Sequence, residues 1–139
     1  MLNKEFRINN IDPSFLLTPL EVLKNMGARL DIGNDYIKVL PSNCIKGTTL
    51  ETNPYPGFPT DLQAQWIALM CKANGQTIVE DTIYLDRFTH VPELNRLGAK
   101  IEMNKNIACK INLAEKELGY NPEFSLINGM KASLTELFN

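Results

Sequence analysis

The chain of 139 residues lacks most of the features that would assign a function by composition alone. Its formal net charge is −2, so nothing draws it generally toward nucleic acid or an anionic membrane. No apolar run approaches the length of a membrane span. The first five residues, Met-Leu-Asn-Lys-Glu, hold no apolar signal core, and export is not expected. There is one histidine, His90, so a histidine-based metal site has no second ligand. Three cysteines, Cys44, Cys71 and Cys109, lie far apart. An odd number excludes complete internal pairing, the spacing fits no zinc site, and a reduced cytoplasmic setting is expected. No cation or helix start is expected to activate any of them, and Cys71 is expected to pack as a small apolar residue.

What is present reads as one folded α/β body. Hydrophobic residues make up 44% and charged residues 22%, the balance of a globular domain with a real core. Residues 6–11 alternate apolar and polar and suggest a strand. Thr18, Pro19, Leu20 and Glu21 have the pattern of a capping box with proline in the first turn, and Gly27 closes the expected helix. Strands at 29–32 and 36–40 follow, joined by a turn at Gly33, Asn34 and Asp35. Further strands are expected at 48–52, 77–82, 100–103 and 106–109, with a helix at 92–97 that Gly98 stops.

The most informative stretch spans residues 53–66, Asn-Pro-Tyr-Pro-Gly-Phe-Pro-Thr-Asp-Leu-Gln-Ala-Gln-Trp. Prolines at 54, 56 and 59, with a glycine at 57, exclude helix and central strand. Thr60 and Gln63 then have capping-box spacing, which predicts a helix over 61–72 with Leu62, Trp66, Leu69, Met70 and Ala73 on one face. Asp61 is held at that helix start. It could simply complement the helix dipole. Equally, a stiff loop fixes where a carboxylate points at low entropic cost, as a functional group needs.

An internal echo is visible. Residues 21–32 parallel residues 92–103, each reading helix, Gly-Ala, strand. A duplicated α/β unit is implied, each copy helping to cover the other.

Pro-Tyr-Pro-Gly-Phe-Pro-Thr-Asp-Leu-Gln-Ala-Gln at 54–65 and Arg-Phe-Thr-His-Val-Pro-Glu-Leu-Asn-Arg-Leu-Gly-Ala-Lys-Ile at 87–101 resemble the UDP-N-acetylglucosamine enolpyruvyl transferases. The resemblance covers about residues 1–105 and implies an inside-out α/β domain of about two βαβαββ-type repeats. It also implies the site. Asp61 would contact the sugar 3-hydroxyl and take its proton as enolpyruvate arrives from phosphoenolpyruvate. Arg87 would lie on the phosphoenolpyruvate side, its planar fork suited to phosphate or carboxylate. From the residues alone, Arg87 could instead pair with Asp86, Glu80 or Asp81. Ile83 would lie against the sugar nucleotide, or else belong to the core. His90 is expected to pack at a helix start rather than to act in catalysis.

The resembled enzymes place their site between two domains. The Lys-Asn pair and the mobile loop with its Cys or Asp and arginines, which the other domain supplies, are absent here. The boundaries expected are 1–110 for the transferase-like domain and 111–139 for a helical tail. That tail, with Leu-Gly-Tyr-Asn-Pro at 118–122, resembles the end of extended short-chain dehydrogenase/reductase sugar-nucleotide epimerases. Their Gly-rich dinucleotide loop and Tyr-x-x-x-Lys motif are missing, so no redox chemistry and no cofactor are implied. Three functions follow as expectations. The chain could be a partial transferase in cell-wall precursor synthesis, completed by a partner chain. It could be a non-catalytic module binding UDP-sugar or protein, or a remnant that oligomerises with itself.

Overall fold

The computed structural model describes residues 4–105 and 108–112, so the expected tail lies outside the described residues apart from its first two positions. Two sheets form. The smaller contains β1 (Phe6–Asn9), β2 (Arg29–Ile32) and β3 (Tyr36–Leu40) in the order β1-β3-β2, all antiparallel. The larger contains β4 (Thr49–Thr52), β5 (Thr77–Asp81), β6 (Lys100–Asn104) and β7 (Ala108–Asn112) in the order β4-β5-β7-β6. Only β4 and β5 run parallel. The last strand, expected at 106–109, is observed at Ala108–Asn112, which places Ile111 in the core.

The helices are α1 (Leu17–Asn25), α2 (Gln63–Met70) and α3 (Val91–Arg96). Trp66, Ile67 and Met70 of α2 are buried with Val79, Ile101, Cys109 and Ile111 of the larger sheet. The first helix serves both sheets. Its Leu20 joins Ile37 and Val39 under the smaller one. Its C-cap residue Met26, with Val22 and Leu23 alongside, enters the larger core. The described residues therefore share one helix layer.

From β4 onward the order is β4, α2, β5, α3, β6, β7, one full βαβαββ unit. The first unit, β1, α1, β2, β3, repeats its last four elements with the same strand order. The echo extends to the helix ends. Gly27 and Gly98 have φ of 95° and 92°. The Gly27 amide donates to the Lys24 carbonyl and the Ala28 amide to the Leu23 carbonyl, both at 2.9 Å. The Gly98 amide donates to Asn95 and the Ala99 amide to Leu94, both at 3.0 Å. These are matching Schellman motifs, which need a residue tolerant of positive φ.

Neither expected capping box forms. No side-chain hydrogen bond caps α1 or α2. The Thr18 hydroxyl donates to the Pro56 carbonyl, tying α1 to the proline loop. The Thr60 hydroxyl donates to Asp81 at 2.6 Å, and the Gln63 side-chain amide is buried without a partner. A charged acceptor across the fold outcompetes the local amide, as expected of charge-assisted bonds.

Candidate functional site

The proline loop is anchored at both ends. The Asn53 amide donates to the Phe58 carbonyl at 2.9 Å, and Gly57 closes a turn onto Pro54 at 2.7 Å. Phe58 is buried and meets the Trp66 ring edge-on, with centroids 4.8 Å apart. A short 3-10 turn, Thr60–Leu62, leads from the loop into α2 and carries Asp61.

Facing it is the segment after β5, fixed by Asp81. One carboxylate oxygen accepts from the Thr52 hydroxyl at 2.8 Å and from the Ile83 and Tyr84 amides at 3.0 and 2.8 Å. The other accepts from Thr60 at 2.6 Å. Burial pushes this carboxyl up, but the bonds from Thr60, Tyr84, Thr52 and Ile83 together outweigh it and hold it below its ordinary range. The Thr82 hydroxyl also donates to the Thr52 carbonyl. Asp81 thus locks the end of β4, the start of the α2 approach and the 82–84 turn into one unit.

That lock brings Asp61 and Arg87 together. Nη1 of Arg87 lies 2.7 Å from Oδ1 of Asp61. The Asp61 side chain is 84% exposed and that of Arg87 33% exposed. The guanidinium also stands 5.3 Å from the centroid of Tyr84. Arg87 therefore pairs with none of its near neighbours Asp86, Glu80 or Asp81, but with the acid twenty-six residues earlier. Ile83 is exposed on the same turn, beside exposed Tyr84 and Leu85. The result is an open face carrying a carboxylate, a guanidinium and apolar side chains. One concavity is lined by Asp86, Phe88, Thr89 and Met103, beside Arg87 in the chain, and another by Phe15, Tyr55 and Pro56; neither is lined by Asp61 or Arg87.

His90 is the N-cap residue of α3 and stacks near Phe88, with centroids 6.5 Å apart. Burial holds its imidazole below the ordinary range, against an upward pull from the Arg87 backbone. The cysteines are free. Burial pushes the Cys109 thiol up to about 12 and raises Cys71 as well, which makes neither a ready nucleophile. Among the described residues no group of three or more His, Cys, Asp or Glu could hold a metal ion, and no helix is long and apolar enough to cross a membrane.

The sequence treated Asp81 only as a possible partner for Arg87. A signal for its real position was available. Thr77, Val79 and Asp81 occupy alternate positions, so an inward-facing strand puts all three on the buried side. A buried carboxylate needs donors, and the threonines at 52 and 60 flank the adjoining loop.

This architecture is that of the enolpyruvyl transferases. The enolpyruvyl transferase NikO from Streptomyces tendae superposes with a TM-score of 0.73 at 23% identity, over 81% of this chain and 26% of that one. The chain belongs to the EPSP synthase (3-phosphoshikimate 1-carboxyvinyltransferase) family, whose model matches residues 1–121. Among its relatives, the UDP-N-acetylglucosamine 1-carboxyvinyltransferase of Pelagibacter ubique is 45% identical over 102 residues, 73% of this chain and 24% of the relative. That of Prosthecochloris aestuarii is 46% identical over 101 residues, again 73% and 24%. That of Nitratiruptor sp. is 42% identical over 113 residues, 81% and 27%. The chain thus spans about a quarter of the length of the curated relatives it matches.

Proposed function

We propose that this chain contributes one wall of an enolpyruvyl-transfer site that acts on UDP-N-acetylglucosamine and phosphoenolpyruvate in cell-wall precursor synthesis. A partner chain supplies the remaining wall. The observation that carries this reading is the pairing of Asp61 with Arg87 on an open face. A carboxylate and a guanidinium from distant stretches of sequence, held by the Asp81 lock, match the needs of the two substrates. Asp61 would accept the proton of the sugar 3-hydroxyl, which requires hydrogen-bond contact with it. Arg87, released from Asp61 by the incoming hydroxyl, would turn its fork to the phosphate or carboxylate of phosphoenolpyruvate. Ile83 would give the sugar nucleotide an apolar contact. The new C–O bond forms at the sugar oxygen while inorganic phosphate leaves.

Exposure of the pair fits this division of labour. An open wall cannot exclude water or stabilise developing charge, so turnover needs a second lobe. Phosphate release from phosphoenolpyruvate in the presence of UDP-N-acetylglucosamine tests the proposal. The complement is the Pelagibacter ubique relative with its matching segment removed. Release should appear only on mixing and should fall at least a hundredfold with Asp61→Ala. An exposed ion pair contributes roughly 0–1 kcal/mol, so that variant stays folded and the loss reads as chemistry. Sugar-nucleotide binding without release would favour a non-catalytic binding module, and no binding with self-association would favour an oligomerising remnant.

A further inference from the structure

Asp61 keeps its direction through the backbone that carries it. Its carboxylate is open to solvent, and Arg87 is its one hydrogen-bond partner among the described residues. The backbone leading to it is tied by two threonine hydroxyls. One belongs to Thr60, which donates to Asp81 within the same unit at 2.6 Å. The other belongs to Thr18 of α1, which donates to the Pro56 carbonyl thirty-eight residues later.

Between those ties the chain has little freedom. The Gly57 amide donates to the Pro54 carbonyl at 2.7 Å, and a Cβ built at Gly57 would fall 2.5 Å from that of Asn53. Phe58 is buried, and Pro56 and Pro59 fix their own backbone angles. A shift at the loop tip is therefore passed on toward Asp61. On the other side of the tie α1 is a firm base, since Leu20 is buried under the smaller sheet and the C-cap Met26 in the larger core. Among the described residues no other hydrogen bond joins α1 to the loop. The seam between them includes a hollow of about 120 Å³ lined by Leu17, Pro19, Pro56 and Pro59, so close apolar packing does not replace the bond.

We propose that Thr18 is a positioning residue of the transfer site, holding the proline loop through the Pro56 carbonyl and so setting where Asp61 stands. The first unit supplies none of Asp61, Ile83 and Arg87, yet it reaches the site through this hydroxyl. Displacements on the ångström scale are enough to weaken a site of this kind. The ligand used to measure the effect rests on the transfer function proposed above, whereas the tie itself is measured without it.

Thr18→Val keeps the shape of the side chain and removes the donor, and Thr18→Ser keeps the donor. Both are compared with the unaltered full chain by NMR of isotope-labelled protein. Without ligand, Thr18→Val should move the amides of Gly57, Phe58, Thr60 and Asp61 and leave those of Ile101 and Cys109 in place. Thr18→Ser should keep the loop amides near their original positions. In a titration with UDP-N-acetylglucosamine, Thr18→Val should raise Kd about fivefold, the equivalent of one ordinary hydrogen bond, and Thr18→Ser should restore it. Loop amides that stay put in Thr18→Val overturn the proposal, even if the denaturant midpoint falls, because Thr18 would then be a structural contact only. Movement with unchanged affinity, or a loss that Thr18→Ser shares, overturns it as well. If the unaltered chain binds no sugar nucleotide, the transfer function fails, and the amides of the unliganded chain still decide whether Thr18 holds Asp61.

Discussion

Removing the Asp81 carboxylate strands four donors at once, the hydroxyls of Thr52 and Thr60 and the amides of Ile83 and Tyr84. Asp81→Ala should cost on the order of 3 kcal/mol, read as a lower denaturant midpoint, since hydrogen bonds to a charged group exceed ordinary ones. The same variant should loosen Arg87 from Asp61. Because the folded-state pKa of Asp81 is lowered, its stabilisation is complete above the ordinary value of 3.8 and disappears only as pH falls through the lower folded value. His90 acts in a different window. Its folded-state pKa lies below the ordinary 6.5, so between the two values the unfolded chain binds more protons. Stability is then full above about pH 6.5 and falls as pH drops from there toward the folded value. Melts between about pH 7.5 and 5 should show a declining Tm, with a smaller decline in His90→Gln. An equal decline in that variant would remove His90 as the cause.

Elements repeat more faithfully than side chains do. The Gly-Ala steps at 27–28 and 98–99 close α1 and α3 by the same pair of backbone bonds. No heavy atom lies within 4 Å of a Cβ built at Gly98, so Gly98→Ala should cost only its left-handed backbone, about 1–2 kcal/mol. Gly27→Ala should cost about the same, since the nearest atom to its Cβ position is the Cys44 carbonyl oxygen at an ordinary 3.4 Å. A neutral result at either position in chemical denaturation would contradict the reading of the two caps. These stops were legible because a helix end is a local event that glycine alone serves well. The proline loop was legible for the same reason, and so were Trp66, Met70 and Ala73 on the buried face of α2, whereas the fully buried Ile67 and Gln63 fell outside the expected face. Helix starts were not. Thr60 and Gln63 satisfied the spacing rule, but the rule sees only six or so residues. The hydroxyl's actual acceptor, Asp81, is 21 residues away.

At the scale of the molecule, the candidate site was legible only through motif resemblance. Spacing gave Asp61 a place at a helix start, and composition gave nothing for Ile83 or Arg87. What joins the three is the turn after β5, which depends on tertiary contacts that no window of sequence contains. The same turn explains why the site is open. Its Ile83, Tyr84 and Leu85 are exposed, in a chain that spans about a quarter of the length of its relatives. The central claim is that this face meets the sugar nucleotide. An NMR titration of the labelled chain with UDP-N-acetylglucosamine tests it most directly. The account predicts saturable shifts concentrated at the amides of Asp61, Ile83 and Arg87, abolished by Asp61→Ala. Those amides standing still at millimolar ligand, or shifts gathered elsewhere on the molecule, would contradict it.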